Sequence, residues 1–360
     1  MFTIKRHKTR LVTIGRVKVG SPAPVTVQSM TKVRAADVKR TVRQILELED
    51  AGCEIIRPAV LDMDDARAIK EIRKHIHIPL EADIHFAPHL ALEAINAGTD
   101  GIRLNPGNLK DKNEIKKITL AAKKRGISIR VGANSGSIVP RHAGKKTIAQ
   151  MYKHMQDLMV KETLAYCRHI ESFGFHNIMV SLKASDVLTT VYAYRKFAKI
   201  SDYPLHLGIT AAGPIETSTI KSAIGIGSLL MEGIGDTIRV SITGNPIDEI
   251  KLGYEILAAL NIRRRGPEII SCPTCGRCKS DIIGTARKLQ ELLENSDIKA
   301  KIAVMGCVVN GPGEAMDADV GIAAGDDYAV LFKNGRIIKN KIPFKSVISV
   351  ILKELESSHS

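Results

Sequence analysis

Residues 80–105 read LEADIHFAPHLALEAINAGTDGIRLN and contain the pattern that decides the fold. A short apolar run at 80–84 is followed by a helical pattern, and a second short run begins at Gly101. Neither run alternates strictly between apolar and polar residues, which is typical of parallel strands covered on both faces. The stretch therefore predicts a strand, a helix and a second, parallel strand.

The same alternation continues in both directions across the first 260 residues or so. Eight strands are predicted, at 26–30, 54–59, 80–84, 101–105, 127–132, 177–182, 205–210 and 236–243. Eight strand–helix units in about 250 residues match a TIM (β/α)8 barrel. A doubly wound Rossmann-like sheet is the alternative, but Gln28-Ser29-Met30-Thr31 stands where its glycine fingerprint would be.

Two further segments lie outside the repeating pattern. A hairpin is predicted at 10–18 around Gly15, and it either plugs the bottom of the barrel or extends over the surface. After residue 262 the pattern changes, so we expect two domains, a barrel at 1–262 and a small α/β domain at 263–360. The second domain is predicted to have a helix at 279–295 and a last helix from Phe344.

Composition and charge narrow the class of protein. Of 360 residues, 44% are hydrophobic and 25% are charged, as in ordinary folded domains. The longest apolar stretch, 302–309, is far too short to span a membrane. The N-terminal residues 1–7 are basic but no apolar segment follows, so we expect no secretory signal and a cytoplasmic protein.

The net charge of +15 is concentrated in the predicted barrel. From Arg263 onward there are 15 basic and 12 acidic residues, which leaves +12 on the first 262 residues. Such an excess attracts nucleic acid, anionic membranes or anionic metabolites. With 7 Tyr, 7 Phe and no Trp there are few side chains for base stacking, so an anionic metabolite is favoured.

Polar residues are placed at the predicted carboxyl ends of the strands, where TIM barrels build their active sites. Five of them are cations in otherwise apolar strands, and Asp83 and Glu81 cannot balance all five. Buried cations are costly without a counter-charge, so a ligand with more than one phosphate is predicted. The alternative is that carboxylates on the helices pair with some of them. The strand-end residues are Arg57, Asp83, His85, Arg103, Asn105, Arg130, Asn134, Lys183, Arg239 and Ser241.

Asp83, His85 and His89 have a spacing that also suggests a divalent metal in the barrel. Only two or three ligands are present, so hydrogen-bonding residues near a substrate are the preferred interpretation. Backbone N–H groups in the turns at 105–108 and 132–137 are weaker candidates for binding phosphate.

The cysteines are unevenly distributed. Cys53 and Cys167 stand alone and are expected to be buried, whereas the other four lie within 36 residues, at Cys272, Cys275, Cys278 and Cys307. In a reducing compartment such clustering indicates a metal rather than disulfides. Both zinc and an iron–sulfur cluster are compatible with it, and the apolar surroundings favour the cluster.

Several motifs together resemble the 4-hydroxy-3-methylbut-2-enyl diphosphate synthase family, the reductive enzymes of the methylerythritol phosphate route to isoprenoids. They cover most of the chain: VQSMT at 27–31, ADIHF at 82–86, IRLNPGN at 102–108, VSLKASD at 180–186, GDTIRVS at 235–241, CPTCGR at 272–277 and the stretch 305–314. The resemblance implies a [4Fe-4S] cluster held by Cys272, Cys275, Cys307 and Glu314, with Cys278 a bystander. It also implies a homodimer and the substrate 2-C-methyl-D-erythritol 2,4-cyclodiphosphate.

The resemblance further implies reductive opening of the cyclodiphosphate ring with loss of water. The expected substrate contacts are Arg57, Arg103, Asn105, Arg130, Asn134, Lys183, Arg239 and Ser241. No flavin or nicotinamide motif is visible, so we expect an external electron donor, flavodoxin or ferredoxin. Glu314, next to an exchangeable iron, and Asp83 are the expected catalytic residues.

One departure from the family pattern concerns acid–base chemistry. The family commonly has Glu in a Thr-Glu-Ala-Gly turn after strand seven, whereas this chain reads Thr210-Ala211-Ala212-Gly213. Glu216, predicted in the same loop, is the third catalytic candidate because it is positioned to substitute. Two other functions remain as alternatives: a zinc-ribbon protein that binds nucleic acid, and a pterin-binding barrel of the dihydropteroate synthase type.

Overall fold

The computed structural model describes residues 4–138, 147–293, 296, 298–307, 313 and 316–357. The chain forms two compact units, Met1–Arg263 and Arg264–Ser360. Within the described residues, no helix is both long and apolar enough to span a membrane.

The first unit is a closed barrel of parallel strands. Two runs of neighbouring strands, β10-β11-β3-β4 and β5-β6-β7-β8-β9, are joined by single bridges from Ile56 to Leu80 and from Val180 to Leu205. The strands are β3 (Thr26–Met30), β4 (Ile55–Arg57), β5 (Ala59–Val60), β6 (Glu81–Ile84), β7 (Gly101–Leu104), β8 (Ser128–Asn134), β9 (Ile178–Lys183), β10 (His206–Leu207) and β11 (Thr237–Ile238). Since β4 and β5 are two pieces of one strand, the predicted eight-stranded barrel is confirmed.

Among the described residues, eight helices surround the barrel, one after each strand. Asp37, Asp62 and Asp186 each cap a helix by accepting a backbone N–H in its first turn, which satisfies donors that have no partner inside the helix. Thr147 and Gln150 form a reciprocal capping box at the start of the longest helix. The helices are α1 (Val38–Asp50), α2 (Met63–Ile72), α3 (Pro88–Asn96), α4 (Lys112–Arg125), α5 (Ile148–Glu171), α6 (Val187–Ile200), α7 (Ile215–Met231) and α8 (Pro246–Ala259).

The predicted hairpin is formed by β1 (Val12–Ile14) and β2 (Val17–Val19), which pair antiparallel. Its apolar side chains share a small core with Ile55 and Met179, near the start of barrel strands. Of the two positions that the sequence left open, the hairpin therefore occupies the bottom of the barrel.

The last two barrel strands are shorter than predicted. Strands expected at 205–210 and 236–243 form ladders of only two residues each. The chain leaves the ladder where the backbones crowd, because a Cβ on Gly208 would lie 2.5 Å from the carbonyl oxygen of Arg239. Only glycine permits this approach.

In the part of the chain that the structure describes, the second unit is built on a five-stranded mixed sheet. The strand order is β12-β13-β14-β15-β16, parallel as far as β14 and antiparallel beyond it. The edge strand β16 is almost wholly exposed and has no apolar periodicity, so no sequence pattern predicts it. Its elements are β12 (Glu268–Ser271), α9 (Ile282–Leu293), β13 (Lys301–Met305), β14 (Val320–Ala324), β15 (Tyr328–Lys333), β16 (Arg336–Pro343), a 3-10 turn (Phe344–Ser346) and α10 (Val347–Glu356).

Candidate active site

The interior of the barrel is charged rather than apolar. Apolar residues of the strands, such as Ile102 and Leu104, pack into the core shared with the helices. The alternate residue Arg103 is 4% exposed and reaches Asp83 on the neighbouring strand. Such interiors are normally filled by Val, Ile and Leu, so the charged interior indicates a binding site.

Asp83 is the centre of one group of ion pairs. Its carboxylate oxygens lie 3.1 Å from Nη1 of Arg103, 3.4 Å from Nε of Arg57 and 3.6 Å from Nε2 of His85. Burial alone would raise the pKa of Asp83, but the two arginines outweigh it and hold the pKa far below its usual range. Asp83 is therefore a carboxylate at neutral pH and a counter-ion, not a proton donor.

A second group lies fully inside the barrel. Nη2 of Arg130 is 2.7 Å from Oε2 of Glu81, and Nη1 donates to Oε1 of Gln28 at 3.2 Å. Burial lowers the pKa of Arg130 to about 9, although Glu81 opposes the shift. Arg130 is only 1% exposed. Its guanidinium is therefore buried inside the barrel and paired with Glu81.

A third group is held by Glu249, which is buried on α8. Its carboxylate accepts from Arg239 at 3.0 and 3.2 Å, from Lys32 at 2.8 Å and from the hydroxyl of Ser29 at 3.1 Å. Arg239 in turn donates to Oγ of Ser241 at 2.9 Å. A helix-borne carboxylate thus balances a strand-end cation.

Glu249 changes the charge balance that the strands alone suggested. The alternative in which helix carboxylates pair with some of the cations is correct for Arg239. Three buried carboxylates now face the five predicted cations, and Glu249 is shared with Lys32 as well, so the cationic side chains outnumber the carboxylates by at least two. The carboxylates are Glu81, Asp83 and Glu249, and the cations are Arg57, Arg103, Arg130, Lys183 and Arg239.

Lys183 is one of the cationic side chains without a carboxylate partner among the described residues. Lys183 is buried, with only 7% of its surface exposed. In the described part of the chain, no carboxylate oxygen lies within 4.0 Å of its Nζ. Burial, together with nearby cations that include Arg130 and Arg57, lowers its pKa well below the ordinary value. The side chain passes close to Gly208, where a Cβ would lie 2.7 Å from Nζ.

The predicted amide ligands organise loops at the mouth of the barrel. Oδ1 of Asn105 accepts from the backbone N–H of Gly107 at 3.0 Å and from Oγ of Ser137 at 3.1 Å. The same Ser137 hydroxyl lies 2.8 Å from the carbonyl oxygen of Asn134. Asn105 and Asn134 therefore join the turns that follow β7 and β8. Arg141 and His142, farther along the second loop, lie outside the described residues.

Glu216 is not in a loop, as the sequence suggested, but in the first turn of α7, where it is exposed. Pro214 precedes the helix, so the helix begins immediately after the turn at 210–213. Ser218 in the same turn donates to the carbonyl oxygen of Ser241 at 2.8 Å, which places this end of α7 at the rim of the barrel. Ala211, at the position where the family pattern has Glu, has a φ of +49°.

In the second unit, cysteines follow two adjacent parallel strands. Ser271 and Val304 are in register, so Cys272 directly after β12 and Cys307 two residues after β13 lie at the same edge of the sheet. The backbone N–H of Gly306 donates to Sγ of Cys272 at 3.1 Å. Hydrogen bonds of this kind tune iron–sulfur sites.

The chemistry of the thiols fits a soft metal site. A Cβ on Gly306 would lie 2.7 Å from Sγ of Cys278 and 3.0 Å from Sγ of Cys272, so the sulfurs converge where a side chain is missing. Cys275 is exposed, and Glu314 lies outside the described residues. Across the described part of the chain, no three His, Cys, Asp or Glu side chains already converge as a metal site, neither here nor at Asp83 in the barrel. The donor chemistry suits a [4Fe-4S] cluster.

Comparison with known proteins identifies the family. The sequence profile of the GcpE TIM-barrel domain matches residues 9–254, and that of the GcpE protein C-terminal domain matches 268–357. The chain is 48% identical over 352 residues to 4-hydroxy-3-methylbut-2-en-1-yl diphosphate synthase (flavodoxin) of Ruminiclostridium cellulolyticum, covering 98% of each chain. It belongs to the 4-hydroxy-3-methylbut-2-en-1-yl diphosphate synthase family. The enzyme of the same name from Caldanaerobacter subterraneus is 50% identical, with 98% and 97% covered.

As a member of this synthase family, the chain is an oxidoreductase that forms 4-hydroxy-3-methylbut-2-enyl diphosphate in the methylerythritol phosphate pathway. Among solved structures, Yersinia pestis dihydropteroate synthase is similar with a TM-score of 0.50 at 12% identity, covering 70% of this chain and 98% of that one. That likeness shows the barrel fold alone.

Three residues of the synthase barrel were missed by the sequence analysis. Gln28 bonds both Arg130 and Glu81, Glu249 balances Arg239, and His206 is buried on β10 with neither ring nitrogen hydrogen-bonded among the described residues. Burial, together with Lys183 and nearby arginines, lowers the pKa of His206 well below its usual value, so the ring is neutral. Gln28 and His206 are polar residues in apolar strands, and this could have marked them as site candidates. Glu249 lies on a helix, where a charged residue is ordinary.

Proposed function

We propose that the barrel, residues 1–262, binds 2-C-methyl-D-erythritol 2,4-cyclodiphosphate and that residues 263–360 carry a [4Fe-4S] cluster. The observation that carries the first part is the excess of buried cationic side chains over carboxylates at the strand ends, with Lys183 lacking a carboxylate partner among the described residues. Phosphate oxygens would supply the missing negative charge and accept charge-assisted hydrogen bonds.

The barrel side chains divide into binding and supporting groups. Arg57, Arg103 and Arg239 are each fixed by a carboxylate that leaves other guanidinium N–H groups for the ligand. Lys183 adds a fourth cation, and a bound diphosphate would raise its lowered pKa and hold it protonated. Asn105, Asn134 and Ser241 belong to the turns around this group and complete the proposed substrate set.

Arg130 supports the site rather than gripping the ligand. Its pair with Glu81, braced by Gln28, sets a fixed floor beneath Arg103. Glu81 neutralises the guanidinium of Arg130 only in part, so the positive potential that remains still favours an anion bound at the strand ends. Asp83 aligns Arg57 and Arg103, and the exposed Glu216 at the rim of the barrel is the proposed group for proton transfer.

Cys272, Cys275, Cys307 and Glu314 are the proposed holders of the cluster. When bound, a [4Fe-4S] group supplies one-electron transfer and a Lewis-acidic iron. The reaction takes up two electrons and two protons, breaks the carbon–oxygen bond to one ring phosphate, which leaves the open diphosphate, and releases one water. The protein binds the diphosphate, orients the carbon skeleton and excludes competing solvent.

Two partners complete the proposal. Flavodoxin is the proposed electron donor, with ferredoxin as the other small redox protein of suitable chemistry, because the two relatives described above are named as flavodoxin enzymes. The net charge of +15 would favour encounter with an acidic donor. A homodimer is proposed from the family resemblance.

Iron, acid-labile sulfide and zinc, measured on protein purified without oxygen, test the cofactor. About four irons and four sulfides per chain are expected, and one zinc without sulfide would overturn the proposal. A reductive assay with the cyclodiphosphate follows, in which Cys307→Ser should abolish turnover. Full turnover by that variant would contradict the ligand set.

A further inference from the structure

Cys278 is the one clustered thiol that the family ligand set leaves without a role. It is half-buried, whereas Cys275, three residues earlier, is exposed. The inference below rests on the proposed cluster and concerns which of this chain's own thiols hold it.

The position of Cys278 relative to Gly306 links it to the proposed ligands. From the point where a Cβ of Gly306 would stand, Sγ of Cys278 is 2.7 Å away and Sγ of Cys272 is 3.0 Å away. The two sulfurs therefore lie at most 5.7 Å apart. Cys307 follows Gly306 directly in the chain. Cys278 thus shares the glycine surface that adjoins two proposed ligands.

The spacing of the cysteines agrees with this placement. Cys272, Cys275 and Cys278 form a C-x2-C-x2-C run. In bacterial ferredoxins the third cysteine of such a run reaches the same [4Fe-4S] cluster as the first, and the last ligand comes from elsewhere in the chain, so this spacing allows Cys278 to reach a cluster that Cys272 holds. Cys307 is such a distant cysteine here.

A purely structural role for Cys278 would depend on its hydrogen bond, whereas a ligand role would depend on its thiolate. Its Sγ donates to the carbonyl oxygen of Ser280 at 3.3 Å, and Oγ of Ser280 donates to that of Gly325 at 2.9 Å. A serine at 278 keeps a donor for the first of these bonds and removes only the thiolate. Serine therefore separates the two roles.

We propose that Cys278 is a cluster ligand of this chain, interchangeable with Cys275. Four thiols are then available where the family set uses three. Loss of Cys275 or of Cys278 alone leaves a full set, and loss of both does not. The family set without Cys278 predicts instead that Cys275 is indispensable and that Cys278 is irrelevant.

The test compares Cys275→Ser, Cys278→Ser, the double variant and Cys272→Ser, each reconstituted without oxygen. About four irons and four sulfides per chain are expected in both single variants, with a changed electron paramagnetic resonance spectrum of the reduced cluster in Cys275→Ser. The double variant and Cys272→Ser should lose the cluster.

Two results would overturn the inference. One is that Cys275→Ser loses its iron as completely as Cys272→Ser, and the other is that the double variant retains as much iron as Cys275→Ser alone. Absence of iron and sulfide from the wild type is a separate outcome, because it contradicts the proposed function itself. Far-ultraviolet circular dichroism of each apoprotein checks that the variants fold.

Discussion

Oε1 of Glu249 lies 3.0 Å from Nη2 of Arg239, and the two residues come from different layers of the fold. Arg239 follows the last barrel strand, whereas Glu249 is fully buried on the helix outside it. The same carboxylate binds Lys32, after the first strand. One helix residue thus fixes two cations at the seam where the barrel closes.

Replacing Glu249 by Gln should destabilise the protein by about 3 kcal/mol, because Arg239 is then buried without its counter-charge. The free energy of unfolding in urea measures the effect. Asp248→Asn, one residue away and only half-buried, is the matched control and should change it by less than about 0.5 kcal/mol. Equal stability of the two variants would show that the pair contributes nothing.

Gly132→Ala should weaken binding of the cyclodiphosphate by displacing Arg103. The added Cβ would lie 2.6 Å from Nε of Arg103 and 3.0 Å from Oγ of Ser181, and Arg103 also donates to the carbonyl oxygen of Gly132. We expect a loss of about tenfold in affinity, equivalent to about 1.4 kcal/mol, measured by calorimetry.

Gly136→Ala is the matched control for that experiment. It lies in the turn after the same strand, and its Cβ would meet no atom of the described residues within 4 Å. Wild-type affinity is expected for this variant. If Gly132→Ala also binds normally, the position of Arg103 is not critical for the ligand.

The barrel was predictable because its signal is local. Each strand is a short apolar run and each helix has its own periodicity, as in residues 80–105. The ends of the last two strands were not predictable, since they depend on how closely Gly208 approaches Arg239 across the sheet. The strand β16 is exposed and has no apolar pattern from which a strand could be predicted.

The candidate site was predictable where chemistry and strand position coincide, as for Arg57, Asp83 and Arg103, which the structure brings into contact. Pairings between distant parts of the chain could not be inferred. Glu249 stands in a helix that looks amphipathic, and only the closed barrel reveals that its carboxylate turns toward Arg239.

Replacing Lys183 by Met should stabilise the protein at neutral pH while weakening substrate binding. The pKa of Lys183 is lowered by burial and by neighbouring cations, so the unfolded chain binds one more proton between that lowered value and about 10.4. In this window the wild-type free energy of unfolding rises with pH, by at most about 1.4 kcal/mol per unit. Unfolding in urea at pH 7 and pH 9 should show this rise in the wild type and a smaller one in Lys183→Met.

The binding part of the same prediction is a loss of roughly 2 kcal/mol, about thirtyfold in affinity for the cyclodiphosphate, from one charge-assisted hydrogen bond. Lys199→Met, at the exposed end of α6, serves as the control for a lost positive charge. Parallel pH dependences of Lys183→Met and the wild type would refute the lowered pKa, and unchanged affinity would remove Lys183 from the site.

Gly306→Ala should prevent the cluster from forming. Its Cβ would occupy the point 2.7 Å from Sγ of Cys278 and 3.0 Å from Sγ of Cys272, and would push apart the sulfurs that converge there. Iron and sulfide after anaerobic reconstitution should fall from about four of each per chain to a small fraction. Gly276→Ala, in the loop between Cys275 and Cys278, is the control because its Cβ would meet nothing within 4 Å. The new methyl group must displace at least one of the two sulfurs. A full cluster in Gly306→Ala would therefore mean that the cluster site lies away from this glycine.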